Sequence, residues 1–148
     1  MTALGTRTRV LFVCVHNSAR SVMAEYFARE HGGGQVRAES AGFEPRELLP
    51  LAQEVMREIG LDLAGHRSRN IHDLARRGAR FDYVVLCARE THGFALPVFP
   101  GARLLSWDLP EPCSFQGDAE EQLAQTRQVR DQLRDWVTAW LDSLAAGE

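Results

Sequence analysis

The 148-residue chain reads as an α/β protein built on a parallel sheet, and three observations say so. A short uninterrupted apolar run, Val10-Leu11-Phe12-Val13, and the stretch over 81–86, apolar but for Asp82, have the length and β-branched content of strands buried on both faces. Segments with apolar residues at helical spacing alternate with strand-like ones, the order that strand-helix-strand units produce. No internal repeat, low-complexity tract or long linker divides the chain, so a single domain over residues 1–148 is expected.

Each element has its own justification. The first strand is expected over 9–15. The helix after it spans about 18–30, with Val22, Met23, Tyr26 and Phe27 at core spacing, and His31-Gly32-Gly33-Gly34 stops it. A short strand over 36–40 turns at Ala41-Gly42. A helix over about 48–59 would bury Leu51, Val55, Met56 and Ile59 before Gly60 ends it. Residues 61–70 read as loop, 71–77 as a short helix, and 81–86 as a buried strand ending on Cys87. A fourth strand is expected over 103–107 and a long final helix over 118–145. The stripe Val129, Leu133, Trp136, Val137, Trp140, Leu141 and Leu144 reads as that helix's core face rather than a ligand box.

Composition narrows the function. With 45% hydrophobic and 25% charged residues the chain is an ordinary globular one. All 17 basic residues are arginine and the net charge is -3, so no global basic field recruits nucleic acid, and any anion site must be local. No apolar run approaches the ~20 residues of a membrane span, and the amino terminus lacks a charged-then-apolar leader, which predicts a cytoplasmic location. The three cysteines, Cys14, Cys87 and Cys113, are an odd number without metal-ligand spacing. Neither a disulfide scaffold nor a metal site is expected.

The stretch Cys14-Val15-His16-Asn17-Ser18-Ala19-Arg20-Ser21 carries the chemistry. A buried parallel strand delivers Cys14 to its carboxyl end, where open α/β sheets place their ligands. The turn from Val15 to Ala19 then sits on a helix N-terminus, whose backbone N–H groups and dipole favour an anion. The same field favours a thiolate, so Cys14 is the expected nucleophile, with Ser21 as a donor to it. Arg20 offers a planar fork for two oxygens of a tetrahedral oxyanion, and Asn17 tolerates a left-handed turn. The plainer alternative is a buried structural cysteine before an ordinary helix start. For the other polar residues the bland reading leads. The His16 ring is secondary to its backbone N–H, Arg67, Arg69, Arg76, Arg77 and Arg80 are solvated charges, Ser40 and Glu44 brace the loop, and His92 belongs to the segment between Cys87 and Pro97.

The chain resembles the low-molecular-weight phosphotyrosine phosphatase superfamily, and within it is most similar to the arsenate reductases built on that fold. The likeness rests on the Cys14-to-Ser21 loop followed by Met23-Ala24-Glu25, on Ser40-Ala41-Gly42-Phe43-Glu44-Pro45, and on Gly60-Leu61-Asp62-Leu63 with Gly65-His66. It extends through Val84-Val85-Leu86-Cys87 and Trp107-Asp108-Leu109-Pro110-Glu111-Pro112. The resemblance implies a three-layer αβα fold with a four-stranded parallel sheet in the order 2-1-3-4, and a thiolate that attacks phosphorus or arsenic.

The resemblance also implies a general acid just before the proline of the late loop. An aspartate is usual there; this chain has Glu111, one methylene longer, with Asp108 as the fallback. Thioredoxin-coupled members carry two later cysteines separated by six residues. Cys87 matches the first, but Phe94 stands at the second. Reducing arsenate takes two electrons, so a second thiol must attack the sulfur of an arseno-Cys14 intermediate. Cys87, Cys113, or a small external thiol working with a glutaredoxin-like partner are the candidates, and a thioredoxin is the other external donor class. The expected function is arsenate reduction with no bound cofactor. A phosphotyrosine phosphatase acting through a phosphocysteine is the alternative, and a catalytically decayed oxyanion-binding protein the third reading.

Overall fold

The computed structural model describes residues 7–110 and 115–147. Four parallel strands, β1 (Thr8–Cys14), β2 (Val36–Gly42), β3 (Tyr83–Leu86) and β4 (Arg103–Ser106), form one sheet in the order β2-β1-β3-β4. This is the 2-1-3-4 order that the resemblance implied. Helices α1 (Arg20–Gly32), α2 (Pro50–Arg57), α3 (Ile71–Arg76) and α4 (Ala119–Ala145) cover its two faces.

Strand alternation divides the core. Val10 and Phe12 of β1 and Val85 of β3 point to the face packed by Val22, Met23 and Phe27 of α1, Val55 and Met56 of α2, and Leu133, Val137 and Leu141 of α4. Leu11, Val13, Val84 and Leu86 point to the other, against Ile71 and Leu74 of α3 with Phe81 and Phe99. The pairing Val13↔Leu86 brings Cys14 and Cys87 to matching places at the carboxyl ends of neighbouring strands. The period of two then puts both on the face of Phe12 and Val85.

Boundaries differ from the expected ones for local reasons. Helix α1 opens at Arg20 rather than 18, because residues 15–19 are spent on an irregular loop in which Asn17 has φ of 49°. Strand β2 runs on to Gly42 because it pairs with β1 as far as Cys14. Helix α2 begins at Pro50, whose fixed φ suits a first turn, and ends at Arg57. Leu51 and Ile59 are therefore only half-buried. Strand β3 starts at Tyr83, since the Asp82 carboxylate accepts from the Arg9 amide at 2.8 Å instead of extending the core. Strand β4 ends at Ser106, although Trp107 still donates its amide to the Leu86 carbonyl at 2.6 Å. Tyr26, Trp136 and Trp140 are also half-buried, and both tryptophans meet Trp107 edge-on. Asp118 caps α4 in a reciprocal capping box with Glu121.

Candidate active site

Residues 15–19 form a loop in which the carbonyls of 15–18 are all engaged on the outside. Val15, His16 and Ser18 accept from the amides of Glu44, Arg46 and Leu49 at 2.7, 2.9 and 2.9 Å, and the Ser68 hydroxyl donates to the Asn17 carbonyl at 2.9 Å. In a trans peptide the N–H points opposite to the C=O. Turning four carbonyls outward thus turns the amides of His16, Asn17, Ser18 and Ala19 inward, toward one centre in front of Cys14. Ala19 at the N-cap of α1 supplies no capping side chain, so the dipole end of the helix faces the same centre.

Asn17 holds the loop in shape. Its side-chain oxygen accepts from the Arg69 amide at 2.9 Å and its amide nitrogen donates to Ser21 Oγ at 2.9 Å. Ser21 Oγ lies 2.8 Å from Cys14 Sγ. An amide nitrogen only donates, so Asn17 fills an acceptor site on Ser21 and leaves the hydroxyl proton to meet a thiolate at Cys14. Gly42, opposite Cys14 in the β2 register, backs this arrangement. A Cβ there would stand 2.7 Å from both the Asn17 nitrogen and the Val15 oxygen.

Arg20 is buried at 1% exposure at the mouth of the loop. Its Nη1 donates to the Leu109 carbonyl at 2.8 Å and to Glu90 Oε2 at 2.8 Å. Cys87 is fully buried, and neither it nor Cys14 is in a disulfide. Burial, and then the neighbouring Cys14 charge, push the Cys87 thiol far above its ordinary range, so in this conformation it holds its proton. The Cys14, Val15, His16, Asn17, Ser18, Ala19, Arg20 and Ser21 set is therefore gathered at one strand end, with Cys87 beside it.

Asp108 is exposed and paired with Arg89 at 2.9 Å. Glu111 and Cys113 lie outside the described residues. His16 Nδ1 meets the Glu44 carbonyl at 3.0 Å, and Arg69 pairs with Glu39 at 2.7 Å on the far side of the loop. Among the described residues no group of three or more metal-binding side chains comes together, and no helix is long and apolar enough to cross a membrane.

Three contributions were not visible in the sequence. Ser68 and the Arg69 amide, in the stretch read as loop, brace Asn17. Glu90 reaches Arg20 from 70 residues away. The third is a buried polar group behind the loop, in which Ser40 donates to Glu25 at 2.5 Å, Arg29 pairs with the same carboxylate, and His66 stands 4.0 Å from it. Burial raises the Glu25 carboxyl and lowers the His66 imidazole.

A family model described as low molecular weight phosphotyrosine protein phosphatase matches residues 9–148. The chain belongs to that family. Among the curated relatives of this family member, an arsenate reductase from Bacillus subtilis is 32% identical over 124 residues, covering 84% of this chain and 88% of its own. A glutaredoxin arsenate reductase from Synechocystis is 31% identical over 129 residues, covering 87% and 92%. A solved arsenate reductase in the phosphate binding state is 30% identical, covers 93% of this chain and 98% of its own, and superposes with a TM-score of 0.71.

Two outcomes follow from this geometry. Gly42→Ala forces a methyl group against the back of the loop, so it should cost about 1–3 kcal/mol of stability in urea unfolding. It should also weaken inorganic phosphate binding; unchanged values for both would remove Gly42 from the account. His66 has the opposite kind of test. Its native value lies below the ordinary 6.5, so the unfolded chain binds the extra proton first as pH falls through that value, and native stability present above it is lost below it. Glu25, raised from 4.5, opposes this trend by taking up protons in the native state. In His66→Gln the drop in urea midpoint between about pH 7.5 and about pH 5.5 should shrink.

Proposed function

We propose that this family member is a thiol-dependent arsenate reductase acting in the cytoplasm as a single domain. The observation that carries the reading is the placing of two thiols, Cys14 inside the amide loop and Cys87 next to it, on one sheet face, each directly after the paired residues Val13 and Leu86 of adjacent strands. Neighbouring strands lie about 4.8 Å apart, within the Cα separation of about 4.4–6.8 Å that a disulfide spans. A phosphatase needs the first thiol only.

The loop amides and Arg20 hold three oxygens of arsenate while the Cys14 thiolate, supported by the Ser21 hydroxyl, forms a bond to arsenic. The fourth oxygen takes a proton from the acid of the late loop, Glu111 or Asp108, and leaves as water. Cys87 then attacks Cys14 Sγ as a thiolate. The sulfur–arsenic bond breaks with its electron pair remaining on arsenic, arsenite departs, and the two sulfurs, oxidised by two electrons in all, are joined as a disulfide. An external thiol of the glutaredoxin class, the word that the Synechocystis relative's name carries, or of the thioredoxin class, returns the disulfide to two thiols.

The kinetic test separates the classes. With a thiol donor present, the unmodified protein should oxidise that donor in an arsenate-dependent way, Cys14→Ser should lose at least about a thousandfold, and Cys87→Ser about a hundredfold in turnover. Equal turnover in Cys87→Ser would place the second step on an external thiol at Cys14. Hydrolysis of an aryl phosphate without any arsenate-dependent thiol oxidation would make the protein a phosphatase.

A further inference from the structure

The 3-10 turn Arg89–Gly93 begins two residues after Cys87 and is tied down on several sides. Glu90 accepts from Arg20 at 2.8 Å, and His92 Nε2 is 2.8 Å from Ser106 Oγ. Arg89 pairs with Asp108 at 2.9 Å, and Phe94 stacks on Phe43 with ring centroids 4.8 Å apart and planes 14° from parallel. Of these ties, only the one through Glu90 ends on a group that an oxyanion must also use.

Glu90 is half-exposed whereas Arg20 is buried, so the carboxylate reaches inward from the rim to a guanidinium at the mouth of the loop. A dianion held by the amides of His16 to Ala19 brings two negative charges to the same guanidinium. It competes for the donors and repels the carboxylate in a site of reduced dielectric. Cys87, meanwhile, is sealed from solvent directly before this fastened turn.

We propose that Glu90 is a positioning residue that holds the Arg20 guanidinium until an oxyanion takes it, and that this exchange unfastens the 89–93 turn and makes Cys87 reactive. The ordering has a chemical use. The second thiol is withheld while the loop is empty, so Cys87 is kept for the arseno-Cys14 intermediate, whose arsenic accepts the two electrons. The significance of Cys87 rests on the two-thiol reading above, but the exchange at Arg20 does not.

The test therefore uses inorganic phosphate and no turnover. In a Cys14→Ser protein, iodoacetamide labelling of Cys87 is followed by peptide mass, with Cys113 as an internal reference. Saturating phosphate should speed Cys87 labelling about three- to tenfold, the range expected for releasing one ion pair with a buried partner. Adding Glu90→Gln should give the faster rate without phosphate, make it insensitive to phosphate, and tighten phosphate binding by a similar factor. A carboxylate that merely propped Arg20 in place would do the reverse, since its loss would weaken phosphate binding.

Hydrogen exchange on the unsubstituted protein supplies a second measurement that does not depend on either variant folding. Phosphate should accelerate exchange of the amides at 89–94 and leave the β3 amides protected. Slower or unchanged labelling with phosphate, weaker phosphate binding in Glu90→Gln, or unchanged exchange at 89–94 would each overturn the proposal. If arsenate is not reduced but phosphate still unmasks Cys87, the reductase reading fails and the Glu90 exchange stands.

Discussion

Everything at this site depends on four carbonyls facing away from it. The amides that could bind an oxyanion point inward only because Val15, His16, Asn17 and Ser18 have their oxygens bonded on the outside, to a strap at 44–49 and to Ser68. The strap can lie close because β2 ends in Gly42, where even a methyl group would collide with the loop backbone. Asn17 accepts the left-handed conformation the turn requires and uses both ends of its side chain, one to anchor the loop to Arg69 and the other to fix the Ser21 oxygen. The donor that meets Cys14 is thus set by a chain of bonds that begins in the outer strap.

The same strand ends give the two cysteines opposite surroundings. Cys14 has a hydroxyl at 2.8 Å, a helix N-terminus and inward amides, all of which stabilise negative charge. Cys87, one strand over and on the same face, has apolar packing that keeps it protonated. A sheet that places two thiols side by side and turns hydrogen-bond donors toward only one of them is suited to the proposed reaction in two strokes, in which the first sulfur acts at once and the second waits for a change in conformation. Simple burial of both would give an inert pair.

The strands and the loop were legible in the sequence because they are written in local pattern: apolar runs at 10–13 and 83–86, the cysteine at a strand end, and an arginine and serine at the following helix. The common face of Cys14 and Cys87 also follows from the period of two once the strands are aligned. The strap was not legible, since it acts through backbone amides that carry no residue signature, and Ser68 and Arg69 looked like part of a solvated basic loop. Glu90 was overlooked for a similar reason. An acidic residue on a short turn is ordinary until the fold carries it across 70 positions to Arg20. Helix ends moved where tertiary bonding outweighed propensity, as at Arg20, where the loop consumes two residues that would otherwise have begun the helix.

The most direct measurement is cysteine mapping by mass after a single turnover with arsenate, in the absence of external thiol. One new disulfide, between Cys14 and Cys87, should form with one equivalent of arsenite. Recovery of both cysteines as thiols, with arsenate unreduced, would contradict it.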